Sequence, residues 1–314
     1  MGRNAIVGQS GGPTAVINSS LVGVFQAAKS RGAQHVYGMR YGVKGLLEEQ
    51  VVDLSDTLRD NLDIEILKRT PASYLGSCRY KLPVPAEDPA LYEKLFGILK
   101  KLDVGYFFYI GGNDSMDTIS KLSDYACMTG SDIKFMGVPK TIDNDLMNTD
   151  HTPGYGSAAK YIGAIMKEIT RDSLVYGTRN VTIVEVMGRN AGWLTGAAAL
   201  AKAEDCEGVD MICLPEVAFD IDHFIERLDV LQRAKAGVVI AVSEGVRVHD
   251  GRYVCELTEE LGPVDAFGHK TLTGAARFLA NKAVRELGCK ARAIELSTLQ
   301  RCSSHMASRV DITE

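Results

Sequence analysis

The cysteines of this chain show no pairing pattern. There are seven, scattered and odd in number, and no C-x-x-C occurs. That fits the reduced thiols of a cytoplasmic protein better than a disulfide scaffold or a zinc site. Long apolar runs are missing too. None reaches the roughly 18 residues of a membrane span, and no basic-then-apolar segment precedes the first strand-like stretch, so neither a membrane helix nor a signal peptide is expected. The six histidines fall in no H-E-x-x-H or other metal-ligand spacing, and none is given a catalytic role. Positive charge is in deficit: the net charge is −5 over 314 residues, which leaves no global field for nucleic acid. An anionic substrate would be met by locally placed Arg and Lys. No G-x-G-x-x-G follows the first strand and no G-x-x-x-x-G-K-[ST] occurs, which removes dinucleotide dehydrogenases and P-loop NTPases.

What is present is an ordinary globular composition, 46% hydrophobic and 24% charged, long enough for two domains. Strand-like runs at 4–9, 34–39, 104–110, 133–138, 181–186, 209–213, 237–242 and 291–297 alternate with helical patterns. Those patterns lie at 14–30, 89–102, 115–128, 155–170, 191–203, 221–235 and 272–287. The alternation predicts βαβ units. We expect an α/β protein of two Rossmann-like, three-layer domains with mostly parallel sheets. The pattern breaks at "NTDHTPGYG", and one domain is placed at 1–152 with 295–314, the other at 153–294. Residues 53–88 read as a polar, strand-poor insertion with three prolines, and no closing element is evident at "SRVDITE". In parallel sheets ligands sit beyond the carboxyl ends of the strands, so the turns after strands are the places to read.

"GQSGG" (8–12) has the form of a hydrolase nucleophile elbow, but only seven residues precede it and no Asp-then-His order completes a triad. It reads better as a strand-to-helix turn in which Gly11 and Gly12 let backbone approach a phosphate and Pro13 opens the helix. "IGGNDSMDT" (110–118) ends the apolar run "VGYFFY" in two glycines and a helix start, another anion-binding arrangement, yet it carries Asn113 and the carboxylate Asp114. "PKTIDND" (139–145) places Asp143 and Asp145 two apart, on one side of an extended loop. One carboxylate there can take a proton from an attacking hydroxyl, and the second can hold a metal or orient Lys140. A solvated Asx-rich turn is the plainer alternative. In "VEVMGRNAGWL" (184–194), Arg189 sits at a glycine turn where it can grip a phosphate bidentately. Glu244 in "AVSEG" is a candidate acceptor for sugar hydroxyls or a helix cap. Arg79, Arg292 and Arg301 add basic groups in an acidic protein.

These turns, in this order, resemble the phosphofructokinase family. The resemblance spans "SGGPTAVIN" (10–18), "GSCRY" (76–80), "GGNDS" (111–115), "PKTIDND" (139–145), "VEVMGR" (184–189), "LPE" (214–216), "SEG" (243–245) and "LQR" (299–301). Singly each is weak; together they are highly specific. The resemblance implies phosphorylation of fructose 6-phosphate at its 1-hydroxyl, with Mg²⁺ as cofactor, in a cytoplasmic homo-oligomer, dimer or tetramer. It implies that Asp143 deprotonates that hydroxyl. Thr141, Ile142, Met187, Gly188, Arg189, Glu244 and Thr298 would contact the sugar phosphate. Arg292 and Arg301 would clamp the 6-phosphate, one of them from a neighbouring subunit. Gly12, Arg79 and Ser115 would contact the phosphoryl donor, and Asn113 occupies the position of a magnesium-associated Asp. The first domain is then the donor domain and the second the sugar-phosphate domain.

ATP-using members commonly have Gly where this chain has Asp114, and a small residue where it has Lys140. The pair resembles the pyrophosphate-using branch and implies reversible transfer. A carboxylate at 114 fills the space of a nucleotide's α-phosphate and repels it. At ~4 Å and an effective dielectric near 20, one like-charge pair costs about 4 kcal/mol. Lys140 can pair with Asp114 and meet the transferring phosphoryl group, and with Asp114 and Arg189 it joins Asp143 in the expected catalytic set. Asp114 could also serve as the helix N-cap. Two alternatives stay open: an ATP-dependent phosphofructokinase, and a non-catalytic sugar-phosphate-binding regulatory subunit. The chain departs from the ATP-type pattern at "TLQRCSSH" and at "YGTRNVT", which leaves Arg179 unassigned as the intersubunit arginine. Family members generally continue beyond the "QR" motif, so a longer parent chain is expected.

Overall fold

The computed structural model describes residues 3–175, 177–257 and 274–313. The chain divides into two compact units, Met1–Thr141 with Arg309–Glu314, and Ile142–Ser308. The first crossing therefore comes earlier than the sequence pattern suggests. Ile142 is already packed among Ala158, Ala159 and Ile162 in the second unit's core. The return is shorter than 295–314 because residues 290–295 pair in the second sheet, Leu296 and Met306 pack in the second unit's core, and the Ser308 amide donates to Ser157 Oγ.

In the first unit, strands β1 (Asn4–Gln9), β2 (Val36–Met39), β3 (Val51–Asp53), β4 (Val104–Gly111) and β5 (Lys134–Pro139) form a sheet in the order β3-β2-β1-β4-β5. All pairs are parallel except β2–β3. Alternation along β1 sends Ala5 and Val7 to one core, with helix Ile17–Ser30, and Ile6 to the other, with helix Pro89–Lys101. Two buried faces make β4 a nearly continuous apolar run, as parallel strands between helical layers require.

The second unit repeats the plan. Strands β6 (Asn180–Val186), β7 (Met211–Cys213), β8 (Gly237–Ser243) and β9 (Lys290–Glu295) run parallel in the order β7-β8-β6-β9. Val238, Ile240 and Val242 of β8 face one core, and Val239 and Ala241 the other. Helix Ile221–Ala234 starts at Asp220, whose side chain accepts from the His223 amide at 2.9 Å, an N-cap of the usual kind.

Several elements differ from expectation. Strand β3 lies outside the strand-like runs of the sequence, and the 53–88 insertion contains helices Leu54–Thr57 and Asn61–Arg69, capped by Asp53 and Asp60. The first helix begins at Ile17 rather than at Pro13, because residues 13–16 are spent on the turn. The 191–203 pattern resolves into helix Trp193–Gly196 and a 3₁₀ turn, Ala197–Ala201. Helix Ala275–Leu287 covers most of the predicted 272–287; residues 272 and 273 lie outside the described ones. A closing element does exist: helix Arg309–Thr313 returns to pack on helix Ile17–Ser30.

Candidate functional site

In the first unit the strand order turns back between β1 and β4, and two glycine turns leave the sheet side by side at that switch point. Such crevices are where open α/β sheets bind ligands. Gly11 sits at φ 72°, a backbone state that suits glycine, and its amide donates to the Cys78 carbonyl at 3.2 Å. Ser77 Oγ donates to the Gly11 carbonyl at 2.6 Å. Those two bonds hold the "GSCRY" segment against the first glycine turn. The segment is fixed from behind by Gln9 and Asn18, both buried. Gln9 Oε1 accepts from the Leu75 amide at 2.9 Å, and Asn18 Nδ2 donates to the Thr70 and Ala72 carbonyls, each at 2.8 Å. Arg79 is thereby carried to the surface.

Lys140, which follows β5, is 4% exposed and donates from Nζ to the Gly12 carbonyl at 2.7 Å. A buried ammonium must be met by acceptors or counter-charge, and the Gly12 carbonyl is one such acceptor. Beside it, the Gly111–Gly112 turn opens helix Asn113–Thr129. Gly111 has no room for a side chain: a Cβ would lie 1.9 Å from Ser115 Oγ. Ser115 is buried and its hydroxyl bonds that of Ser10, joining the two turns. Asn113 and Asp114 are exposed in the helix's first turn. The N-cap is Gly112, not Asp114; the capping alternative for Asp114 is therefore set aside, because the two glycines begin the helix one residue earlier. The Asp114 carboxylate is left projecting at a helix N-terminus, where the dipole favours it.

In the second unit the carboxyl ends of β6, β8 and β9 stand together. Gly188 takes φ 134°, and a Cβ there would meet the Ala191 carbonyl oxygen at 2.4 Å. Its amide donates to Glu244 Oε1 at 3.4 Å, and its carbonyl accepts from Ser243 Oγ at 2.7 Å. Met187 N donates to Gln300 Oε1 at 3.0 Å. The Met187–Arg189 turn is thus pinned to "SEG" on one side and "LQR" on the other, which brings Arg189, Glu244 and Arg301 to one end of one sheet. Glu216 accepts from the Gly192 amide at 2.7 Å and closes the far end of that turn. Burial pushes the Glu244 carboxyl up to about 7, and the negative charge of Asp143 adds to the rise; the Gly188 amide and Arg189 oppose it. Asp143 and Glu244 are therefore close enough to feel each other's charge.

Asp143 is half-buried and Asp145 exposed. They do not lie on one side of an extended loop: Asn144 between them has φ 55°, and a left-handed residue breaks the alternation. Arg292 projects from mid-β9, opposite Thr182, into a groove of about 220 Å³ lined also by Glu168, Ile169 and Asp172. It does not join the cluster at the sheet's carboxyl end. Thr298 is exposed at the start of helix Leu299–Cys302. Thr141 closes the first unit and Ile142 opens the second, the latter as a core residue rather than a polar contact. Gln9, Asn18, Gln300 and Asn144 lie within the quoted motifs, but their roles escaped sequence reasoning, since each ties its turn to backbone groups that are distant or that no side-chain pattern marks. No cluster of three potential metal-ligating His, Cys, Asp or Glu side chains occurs among the described residues.

A family model described as "Phosphofructokinase" matches residues 4–311. The chain is 41% identical over 317 residues to the pyrophosphate–fructose 6-phosphate 1-phosphotransferase of Methylococcus capsulatus, covering 99% of this chain and 74% of that one. It is 41% identical to the protein of the same name from Xanthomonas campestris, with 98% and 73% covered. Among solved structures it is similar to a pyrophosphate-dependent phosphofructokinase from Nitrosospira multiformis, with a TM-score of 0.85, 36% identity and coverage of 99% and 73%.

Proposed function

The chain belongs to the phosphofructokinase family, and from that premise we propose that it transfers a phosphoryl group reversibly from pyrophosphate to fructose 6-phosphate. The first unit is the donor unit and the second the sugar-phosphate unit. The observation that carries the donor assignment is Lys140: buried, bonded to the Gly12 carbonyl in the first glycine turn, with Asp114 exposed at the start of the neighbouring helix.

In the proposed step the Asp143 carboxylate takes the proton of the sugar's 1-hydroxyl. The freed oxygen attacks the near phosphorus of pyrophosphate in line. The bridging P–O bond breaks, and inorganic phosphate leaves with the electron pair, giving fructose 1,6-bisphosphate without a covalent enzyme intermediate. Lys140 and Arg189 offset the charge on the phosphoryl group, the main task of catalysis in this chemistry. Gly12, Arg79 and Ser115 line the donor's place. Ser115 does so by joining the two turns, since its hydroxyl is engaged with Ser10. Thr141, Met187, Gly188, Glu244 and Thr298 contact the sugar phosphate, with Ile142 holding Thr141 and Asp143 in place from the core. Arg301 binds the 6-phosphate. Arg292, remote from the carboxyl end of its own sheet, is the arginine that reaches a neighbouring subunit's site in a homo-oligomer.

A hard cation fits this surface. Mg²⁺ is commonly held by one or two oxygen ligands together with substrate phosphates and water, not by an all-protein cage. Asn113, exposed at the glycine turn, carries an amide oxygen that would serve as such a ligand. When bound, the ion would neutralise pyrophosphate charge. The seven cysteines are free thiols, as in a reducing compartment, and we place the protein in the cytoplasm; no helix among the described residues is long and apolar enough to cross a membrane.

The test is turnover of fructose 6-phosphate with pyrophosphate and Mg²⁺, assayed in both directions, for the native protein and Asp143→Asn. The native protein should work both ways. Asp143→Asn should lose at least about 10³-fold in kcat while still binding fructose 6-phosphate by calorimetry. A variant that turns over normally would remove Asp143 as the base; a native protein that binds the sugar without turnover would favour the regulatory-subunit reading.

A further inference from the structure

The residue that follows the proposed base is buried and tied down within its loop. Asn144 is 8% exposed although its neighbour Asp145 is exposed, and its backbone is left-handed at φ 55°. Its side-chain oxygen accepts from both the amide and the hydroxyl of Thr152, at 2.9 and 3.1 Å, and its Nδ2 donates to the Asp150 carbonyl at 3.2 Å. Thr152 is fully buried, and its own carbonyl accepts from the Tyr155 amide at 3.0 Å, at the first turn of helix Tyr155–Ser173. On the other side of Asp143, Ile142 is packed against that same helix through Ala158, Ala159 and Ile162. Asp143 thus stands between two anchors on one helix, an apolar one before it and a hydrogen-bonded one after it.

We propose that Asn144 is a positioning residue for Asp143. Its amide closes residues 144–152 into a loop and fixes the left-handed turn that directs the Asp143 carboxylate. The inference rests on the reading of Asp143 as the general base. Asparagine suits the place because it tolerates the left-handed region and carries both a donor and an acceptor. A buried side chain with three bonds is held to one rotamer, and a displacement of about 1 Å of a catalytic group lowers turnover by about 10²-fold.

The test uses Asn144→Gly, which keeps the left-handed backbone and removes the three bonds, in the native and Asp143→Asn backgrounds. In the native background kcat should fall by about 10- to 100-fold while KM for fructose 6-phosphate changes less than about threefold. In the Asp143→Asn background Asn144→Gly should lower kcat by less than about twofold, because the residue it positions is already lost. A native kcat after Asn144→Gly, or equal losses in both backgrounds, overturns the proposal. Normal turnover of Asp143→Asn alone overturns the base assignment and this inference with it. If Asn144→Gly does not fold, Thr152→Val removes only the hydroxyl bond. A smaller kcat loss with unchanged KM supports the proposal there, and an unchanged kcat overturns it.

Discussion

A methyl group on Gly245 would lie 2.0 Å from the carbonyl oxygen of Arg189, closer than real atoms approach. The two turns that carry Arg189 and Glu244 touch backbone to backbone at this point, so Gly245→Ala must drive them apart. We expect a rise of at least about tenfold in KM for fructose 6-phosphate and a destabilisation of about 1–3 kcal/mol. Steady-state kinetics and thermal melting check this; native values of both would mean that the two turns are not held in contact. At this scale the sequence marks reactive side chains in the turns that follow strands: Arg189 and Glu244 beside glycines, Lys140 and Asp143 in the carboxylate-rich "PKTIDND". It does not show what Gln300 and Asn144 do, although both stand within the quoted motifs. Their partners are the Met187 amide, 113 positions away, and Thr152, and nothing in a run of letters records a left-handed φ at Asn144.

The elements show a second kind of hidden coupling. Helix Ala275–Leu287 begins at Gly274 with no side-chain cap of its own. Its first amides are met by Glu185 of β6 instead: Gly274 N donates to the carboxylate at 3.1 and 3.2 Å, and Ala276 N at 2.9 Å. Burial raises the Glu185 carboxyl to about 7 even so; the charge of Glu295 adds to the rise, and the amides oppose it. An unfolded Glu loses its proton near 4.5, and the folded one near 7. Between those values the native state holds more protons, so stability falls as pH rises through the window. By linkage the fall is about 3 kcal/mol for one such group. Glu185→Gln should flatten the decline between pH 5 and 8 in urea melts without abolishing it, because Glu244 is raised in the same way. An unchanged slope would show that Glu185 does not titrate there. The strand "VEV" reads correctly as buried β structure, since β-branched residues flank the Glu. The capping role does not, because the amides it meets belong to residues 274 and 276. Strand β3 was missed for another reason: three residues give no measurable period, and only pairing with β2 makes them a strand.

For the whole molecule, the regular alternation of strand and helix was enough to read two α/β units, because parallel strands buried on both faces stand out as apolar runs. The crossing point was not legible, since Ile142 belongs to the second core by packing rather than by composition. With a net charge of −5, the protein does not attract polyphosphates as a whole, so donor choice falls to local charges. We assign that choice to buried Lys140 and exposed Asp114. The most direct test compares pyrophosphate and ATP as donors to fructose 6-phosphate, with Mg²⁺, in the native protein and in Asp114→Gly. Removing one like charge near a nucleotide's α-phosphate is worth up to about 4 kcal/mol, several hundredfold in donor preference. The native protein should turn over with pyrophosphate but not ATP, and Asp114→Gly should acquire the use of ATP. ATP as the better donor in the native protein would contradict the assignment.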